Sequence, residues 1–451
     1  MQPSELISAI DSPLFGKSLA DQEMRLIFSS RRYIEHCVDV EVALAKAQAG
    51  LGLIPSFAAE GIEQGIDVSR LDFERLQRET DIVGYPILPL VEQLSAMCGE
   101  AGRYLHWGAT TQDIMDTATV LQMREGLDLV GARLERLSVV LARLAGEHRD
   151  TVMAGRTHLQ HALPVTFGYK AAVWLSAIER HRQRLEQLRG RVLIGQFSGA
   201  AGTLASLGAS GLEVQEALMS ELGLGTPSIT WHSARDTVTE TVQFLAMVNG
   251  SLAKVACDVS IMMMTEVGEV SEPYVRHRGA SSTMPQKQNP VACELILASA
   301  KVVRQHAGLM LDAMVHDFER ATGPWHLEWF AVPESFGLSA GALSQAVHML
   351  DGLVVDAVAM RRNLDASKGL IVSESVMMAL APAIGRKTAH DLVYQACRES
   401  VETGQPLLEV LGRMPAVVGT LGADKLDWLL DPVNYVGTAP QMVDRMVARH
   451  G

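Results

Sequence analysis

The chain has 451 residues, 48% of them hydrophobic and 20% charged, with a formal charge of −13 at neutral pH. That length and apolar share predict a globular protein of two or three domains with a sizeable core. The acidic balance argues against nucleic acid and anionic membrane as partners, so an anionic substrate would need local cations or helix ends in a cleft.

The segment Met1–Asp11 lacks a basic region followed by a long apolar run, and no later stretch approaches a membrane span, which predicts a cytoplasmic protein. Residues 1–108 then read as shorter helices, broken at Gly50–Pro55 and at Val83–Pro86. Residues 109–360 carry five long helical segments. The first has its apolar seam at Val130, Leu134, Leu137, Leu141 and Leu144, and the second at Phe167, Ala171, Trp174, Ile178, His181, Leu185, Leu188 and Val192. The third runs through Val238, Val242, Leu245, Asn249, Leu252, Ala256, Val259 and Met263. A fourth follows Pro290, and a fifth is expected at Leu343, Val347, Leu350, Val354 and Ala357. His181 and Asn249 read as register-setting core residues rather than ligands. From 361 to 451 short segments return, punctuated by Pro382, Gly385, Pro406, Pro415, Gly419 and Gly422. No strand alternation is evident. The expected fold is all-α in three helical parts, with a central bundle of five long helices. A helix of about 35 residues is roughly 50 Å long, and helices of that length usually find partners in other subunits. The five cysteines, Cys37, Cys98, Cys257, Cys293 and Cys397, show no CxxC or His-rich spacing, so no disulfide framework, no metal and no cofactor is expected.

Three polar segments each launch a long helix. Leu105–Thr117 holds His106, Thr110, Thr111 and Gln112, where Thr111 and Asp113 are equally natural helix caps. Gly155–Thr166 holds Thr157 and His158 and reads as a loop. Gly279–Pro290 packs Ser281, Ser282, Lys287 and Asn289 between a mobile glycine and a proline that starts a helix. A helix N-terminus there favours an anion.

Gly279-Ala-Ser-Ser-Thr-Met-Pro-Gln-Lys-Gln-Asn-Pro290 resembles the signature of the fumarase/aspartase superfamily, whose members add or eliminate groups next to a carboxylate. The three polar segments, in this order, resemble the regions that build the superfamily's active site. The resemblance implies a homotetramer with a core of twenty helices, five per subunit, and sites shared between subunits. Adenylosuccinate lyases carry a Thr-x-His-Asp-Val element that is absent from Arg78–Leu90. Instead His106–Asp113, Gly199–Leu204, Trp231–Asp236 and Glu319–Trp329 are similar to the superfamily's cycloisomerases. Those enzymes act on a small tricarboxylate diene, adding one of its carboxylate oxygens to its own C=C bond to close a lactone. Ala280 and Thr111 depart from the usual glycine and serine without removing a functional group.

The resemblance assigns roles to residues. Ser281 matches the carbon acid/base residue and would deliver the proton to carbon, activated by Lys287 and nearby amides. Lys287, Asn289, Thr157 and amides near Ser281 would meet the charge that builds as an aci-carboxylate. His158, oriented by Glu294, is expected to clamp a substrate carboxylate rather than move a proton, since the nucleophile is already ionised. His106, Thr110, Thr111 and Gln112 are expected to bind substrate. Arg235 and Arg320 are either further clamps or ordinary ion pairs. A lyase releasing fumarate, such as adenylosuccinate lyase, and a non-catalytic structural protein are the alternatives.

Overall fold

The computed structural model describes residues 8–450; residues 1–7, part of the segment behind the expectation of no leader, lie outside the described residues. Helices dominate, and the fold is all-α. The five long ones are Thr111–Glu147, Phe167–Val192, Asp236–Met262, Val291–Ala313 and Pro324–Asp351. The predicted seams of the first two are buried throughout. So is the third from Val238 to Val259, whereas Met263 lies just past the helix end. The fifth seam overshoots: its helix ends at Asp351, and Val354 sits in a short strand. His181 bonds Ser251 at 2.8 Å and Asn249 donates to Ser339 at 2.7 Å, both inside the core.

The chain divides into two compact units. Among the described residues, the first comprises those up to 134, 181–252 and 295–344, the second 135–180, 253–294 and those from 345 onward. These borders fall inside the long helices. In the first unit the helices Ser30–Gly50, Ser56–Gly65, Phe73–Val83 and Ile87–Cys98 enclose Ile34, Cys37, Ile62, Leu90, Leu94, Ile114 and Leu121. Ser29 and Asp72 cap two of them, each accepting an amide hydrogen bond three residues on. In the second unit the short helices from Ala357 to Val447 bury Leu364, Val376, Leu380, Val393, Leu407, Leu411 and Leu426.

Two strand pairs break the helical expectation. β1 (Val152–Thr157) and β2 (Gln160–Thr166) form an antiparallel hairpin where a loop was expected, with Val152 opposite Thr166 and Thr157 opposite Gln160. β3 (Val270–Ser271) pairs with β4 (Val354–Val355). One helix, Asp236–Met262, is long and apolar enough by length and composition to cross a bilayer, contrary to expectation. Its seam residues from Val238 to Val259 are buried within the protein, and the core helix of a large domain passes the same test.

Candidate active site

In the first unit the site is built around the start of the helix Thr111–Glu147. Asp113 accepts from the backbone N–H of Thr110, which closes one half of a capping box. The same buried carboxylate accepts from the amides of Ser198 and Gly199, both at 2.9 Å, and bonds His232 Nε2 at 2.7 Å. Asp113 therefore ties three separate segments into one wall. Gln112 is turned inward, its amide donating to the His232 carbonyl at 2.9 Å, and is 1% exposed. Thr110 and Thr111 remain half-buried. Arg320 is exposed and reaches the Thr110 hydroxyl and the Ala200 carbonyl, each at 3.0 Å.

Arg235 is not available as a substrate clamp. It is buried and forms two bidentate pairs, with Asp116 at 2.7 and 2.9 Å and with Glu328 at 2.8 and 2.6 Å. Its face lies over Trp231, and Trp325 donates to Asp116. Burial disfavours its charge, but the two carboxylates outweigh that and hold the guanidinium protonated.

A cavity of about 580 Å³ opens in this unit between Tyr33, Phe73, Thr80, Asp81, Trp325 and Trp329. It is lined mainly by apolar and aromatic side chains, and none of the predicted site residues lines it.

In the second unit, His158 and Leu159 form the two-residue turn of the hairpin, with φ of 51° and 63°. Positive φ at both positions is the geometry of a type I′ turn, which normally calls for glycine or asparagine. A bulge sits at Gly155, where a Cβ would lie 2.7 Å from the Leu163 carbonyl. Just before the tip, Arg156 grips the buried Glu269 in bidentate fashion at 2.9 and 2.6 Å, and Asn363 braces the same carboxylate. A strained, exposed His158 is thus carried on an anchored stalk.

The segment 279–290 is closed at its neck. The Asn289 amide donates to the Gly279 carbonyl at 3.0 Å, and Ala280 bridges Gln288. Gly279 has φ of 70°, and a Cβ there would stand 2.6 Å from the Asn289 carbonyl. Its role is close backbone approach rather than mobility. Ser281 Oγ accepts from the amides of Met284 at 3.1 Å and Thr283 at 3.3 Å, while Ser282 to Gln288 are exposed. The following helix end already has its anion: Glu272 accepts from the amides of Ala292 and Cys293. Glu294 is exposed in the first turn of that helix. Among the described residues, no hydrogen bond or ion pair within the chain joins His158 to Glu294, or Ser281 to Lys287.

Sequence reading did not single out Glu41, His232, Asp116 or Glu328. Glu41 and Gln48 had a signal, since both sit on the apolar seam of the helix Ser30–Gly50, with Ile34, Cys37 and Leu44.

The fold and these polar segments define an all-α protein with hydroxyl, ammonium, imidazole and carboxamide groups on short connections that lead into long helices. The family model described as "Lyase" matches residues 17–304, and the adenylosuccinate lyase C-terminus matches residues 369–446. The chain belongs to this lyase family of the fumarase/aspartase superfamily. It is 46% identical to the 3-carboxy-cis,cis-muconate cycloisomerase of Pseudomonas aeruginosa, over 97% of this chain and 96% of that protein. It is also 46% identical to trans-aconitate decarboxylase 1 of Mycosarcoma maydis, over 97% of this chain and 88% of that one. Among solved structures, a fumarate lyase from Mesorhizobium sp. BNC1 is 62% identical, with a TM-score of 0.92 over 97% of this chain and all of that chain. The 3-carboxy-cis,cis-muconate lactonizing enzyme from Pseudomonas putida is 43% identical at the same TM-score of 0.92, covering 97% and 99% of the two chains.

Proposed function

We propose that this chain is a cycloisomerase converting 3-carboxy-cis,cis-muconate to 4-carboxymuconolactone, a step of protocatechuate breakdown through the β-ketoadipate route. What carries the reading is the near full-length likeness to enzymes named for that reaction, in a chain that retains Ser281, Lys287, Asn289, His158 and Glu294. The cycloisomerase and decarboxylase relatives are both named for unsaturated tricarboxylates, which favours a substrate of that class.

The reaction is an intramolecular conjugate addition. A substrate carboxylate oxygen attacks one carbon of a C=C bond and a proton goes to its neighbour. Negative charge builds on the carboxylate beside the protonated carbon, and fixed donors there lower the barrier. In this reading Ser281 delivers the proton, and the amides of Thr283 and Met284 that bond its oxygen would stabilise it once it has given the proton up. Lys287, Asn289 and Thr157 meet the charge. Thr110, Thr111 and Arg320 contact a substrate carboxylate, and His158, aided by Glu294, clamps another. Gln112 acts through its inward bond, shaping the wall. The protein is proposed to be cytoplasmic and a homotetramer whose subunits share each site.

The second reading, a lyase releasing fumarate, is favoured by the 62% identity to the structure described as a fumarate lyase. Incubation with 3-carboxymuconate and, separately, with adenylosuccinate, followed by NMR of the products, decides. Formation of 4-carboxymuconolactone supports the cycloisomerase, whereas release of fumarate with no lactone overturns it.

A further inference from the structure

The helix Ser30–Gly50 has a buried seam at Ile34, Cys37, Glu41, Leu44 and Gln48. Two of these positions are polar, and both hold the segment that opens the first polar region. Gln48 donates to the Trp107 carbonyl at 2.7 Å. Glu41 takes the Nδ1 of His106 at 2.6 Å on one oxygen and the His106 backbone N–H at 3.0 Å on the other. His106 itself stands at φ 57°, a left-handed conformation that a non-glycine residue keeps only when its surroundings impose it.

The Glu41 side chain is completely buried, while that of His106 is 24% exposed. A carboxylate buried to that degree is costly unless a cation or strong donors compensate it. No lysine or arginine pairs with Glu41 among the described residues; His106 is its partner. With Nδ1 committed to Glu41, a protonated His106 has one donor left, Nε2–H.

We propose that Glu41 is a positioning residue that keeps His106 as an imidazolium, and that this pair is a built-in cation for one carboxylate of the substrate. The proposal rests on the reading of the substrate as a tricarboxylate, and supplies one of the local cations that a chain of net charge −13 needs. It makes the pair a specificity determinant, selecting three carboxylates over two. Burial alone would lower the basicity of His106, but the hydrogen bond and charge of Glu41, with a contribution from Asp113, outweigh it and raise the pKa above its ordinary value. Below that raised pKa the cation is present, and it is lost as pH rises through it. Glu41 and Asp113 are the charged groups facing the ring, from the helix Ser30–Gly50 and from the first long helix.

Binding of tricarballylate, a saturated tricarboxylate, is measured by calorimetry for wild type, Glu41→Gln, His106→Gln and the double variant. A hydrogen bond to a charged group is worth enough for a loss of about tenfold or more in affinity in each single variant, with no further loss in the double. Equal affinity in wild type and Glu41→Gln overturns the proposal, as do additive losses. In turnover, Glu41→Gln should raise KM about tenfold and change kcat less than about threefold. Its KM should also begin to climb at a lower pH than in wild type. An unchanged pH profile of KM contradicts the proposal. If Glu41→Gln does not fold, imidazole NMR of the wild type decides, with the His106 signal assigned by its loss in His106→Gln. That signal must titrate above free histidine, and a normal or lowered midpoint is fatal. Failure of wild type to lactonise 3-carboxymuconate would sink the proposed function, while the tricarballylate result would still stand or fall by itself.

Discussion

Arg235 and Arg320 are equal candidates in the sequence and unlike in the structure. A guanidinium can clamp a ligand only if its donors are accessible, and those of Arg235 are held by Asp116 and Glu328, distant in sequence and so invisible to a local reading. Removing one partner from a buried ionic set leaves uncompensated charge. Arg235→Gln would set two buried carboxylates against each other and should lower stability by about 3–5 kcal/mol. Arg320→Gln, at an exposed site, should stay within about 0.5 kcal/mol. Equilibrium urea unfolding at one fixed protein concentration compares them, and a loss below about 1 kcal/mol for Arg235→Gln would show that the buried set is not a stability determinant. Asp113 teaches the same lesson from the other side. The sequence offers it as a helix cap, whereas it lies in the first turn and bonds back to the Thr110 amide, and its bonds to Ser198, Gly199 and His232 required the fold.

At the scale of elements, the long helices are legible because their apolar residues recur at steps of three and four. The hairpin is not, because Val152–Thr157 and Gln160–Thr166 lack alternation, one strand contains Pro164, and its turn has neither Asn nor Gly. The fifth seam overshot because Val354 and Ala357 continue the spacing by chance past the helix end at Asp351. The hairpin bears on mechanism through His158. A lyase expelling hydroxide or an amine needs an acid or base at that position, a contribution of about 10²–10⁴-fold. A carboxylate nucleophile, with a pKa near about 4, needs none. His158→Gln keeps a donor of similar reach, so it should mainly raise KM and leave kcat within about tenfold. Loss of turnover at saturating substrate would make the imidazole a proton-transfer group and end its reading as a clamp.

For the whole molecule, the long helices leave large apolar side chains uncovered in a single chain. Val139, Val173, Met247, Val302 and Leu311 are all exposed, Leu311 by 56%. Apolar surface on such helices calls for a partner, and the absence, among the described residues, of a hydrogen bond or ion pair between His158 and Glu294 or between Ser281 and Lys287 fits sites completed by neighbouring subunits. Static light scattering at micromolar protein should give four chain masses. A monomer at that concentration would remove both the tetramer and the shared sites. Helix length points to partner subunits, while the count of four and the shared sites come from the resemblance, since no local pattern encodes which subunit meets which.

The central claim is lactonisation by the Ser281 segment, and loss of the conjugated diene absorbance of 3-carboxymuconate tests it most directly. Wild type should bleach the diene to completion without added metal or cofactor. Ser281→Ala should lower kcat by about 10²-fold or more with little change in KM, because proton delivery acts only in the transition state. A wild-type protein that leaves the diene intact, or a Ser281→Ala variant that bleaches it at the same rate, would contradict the account.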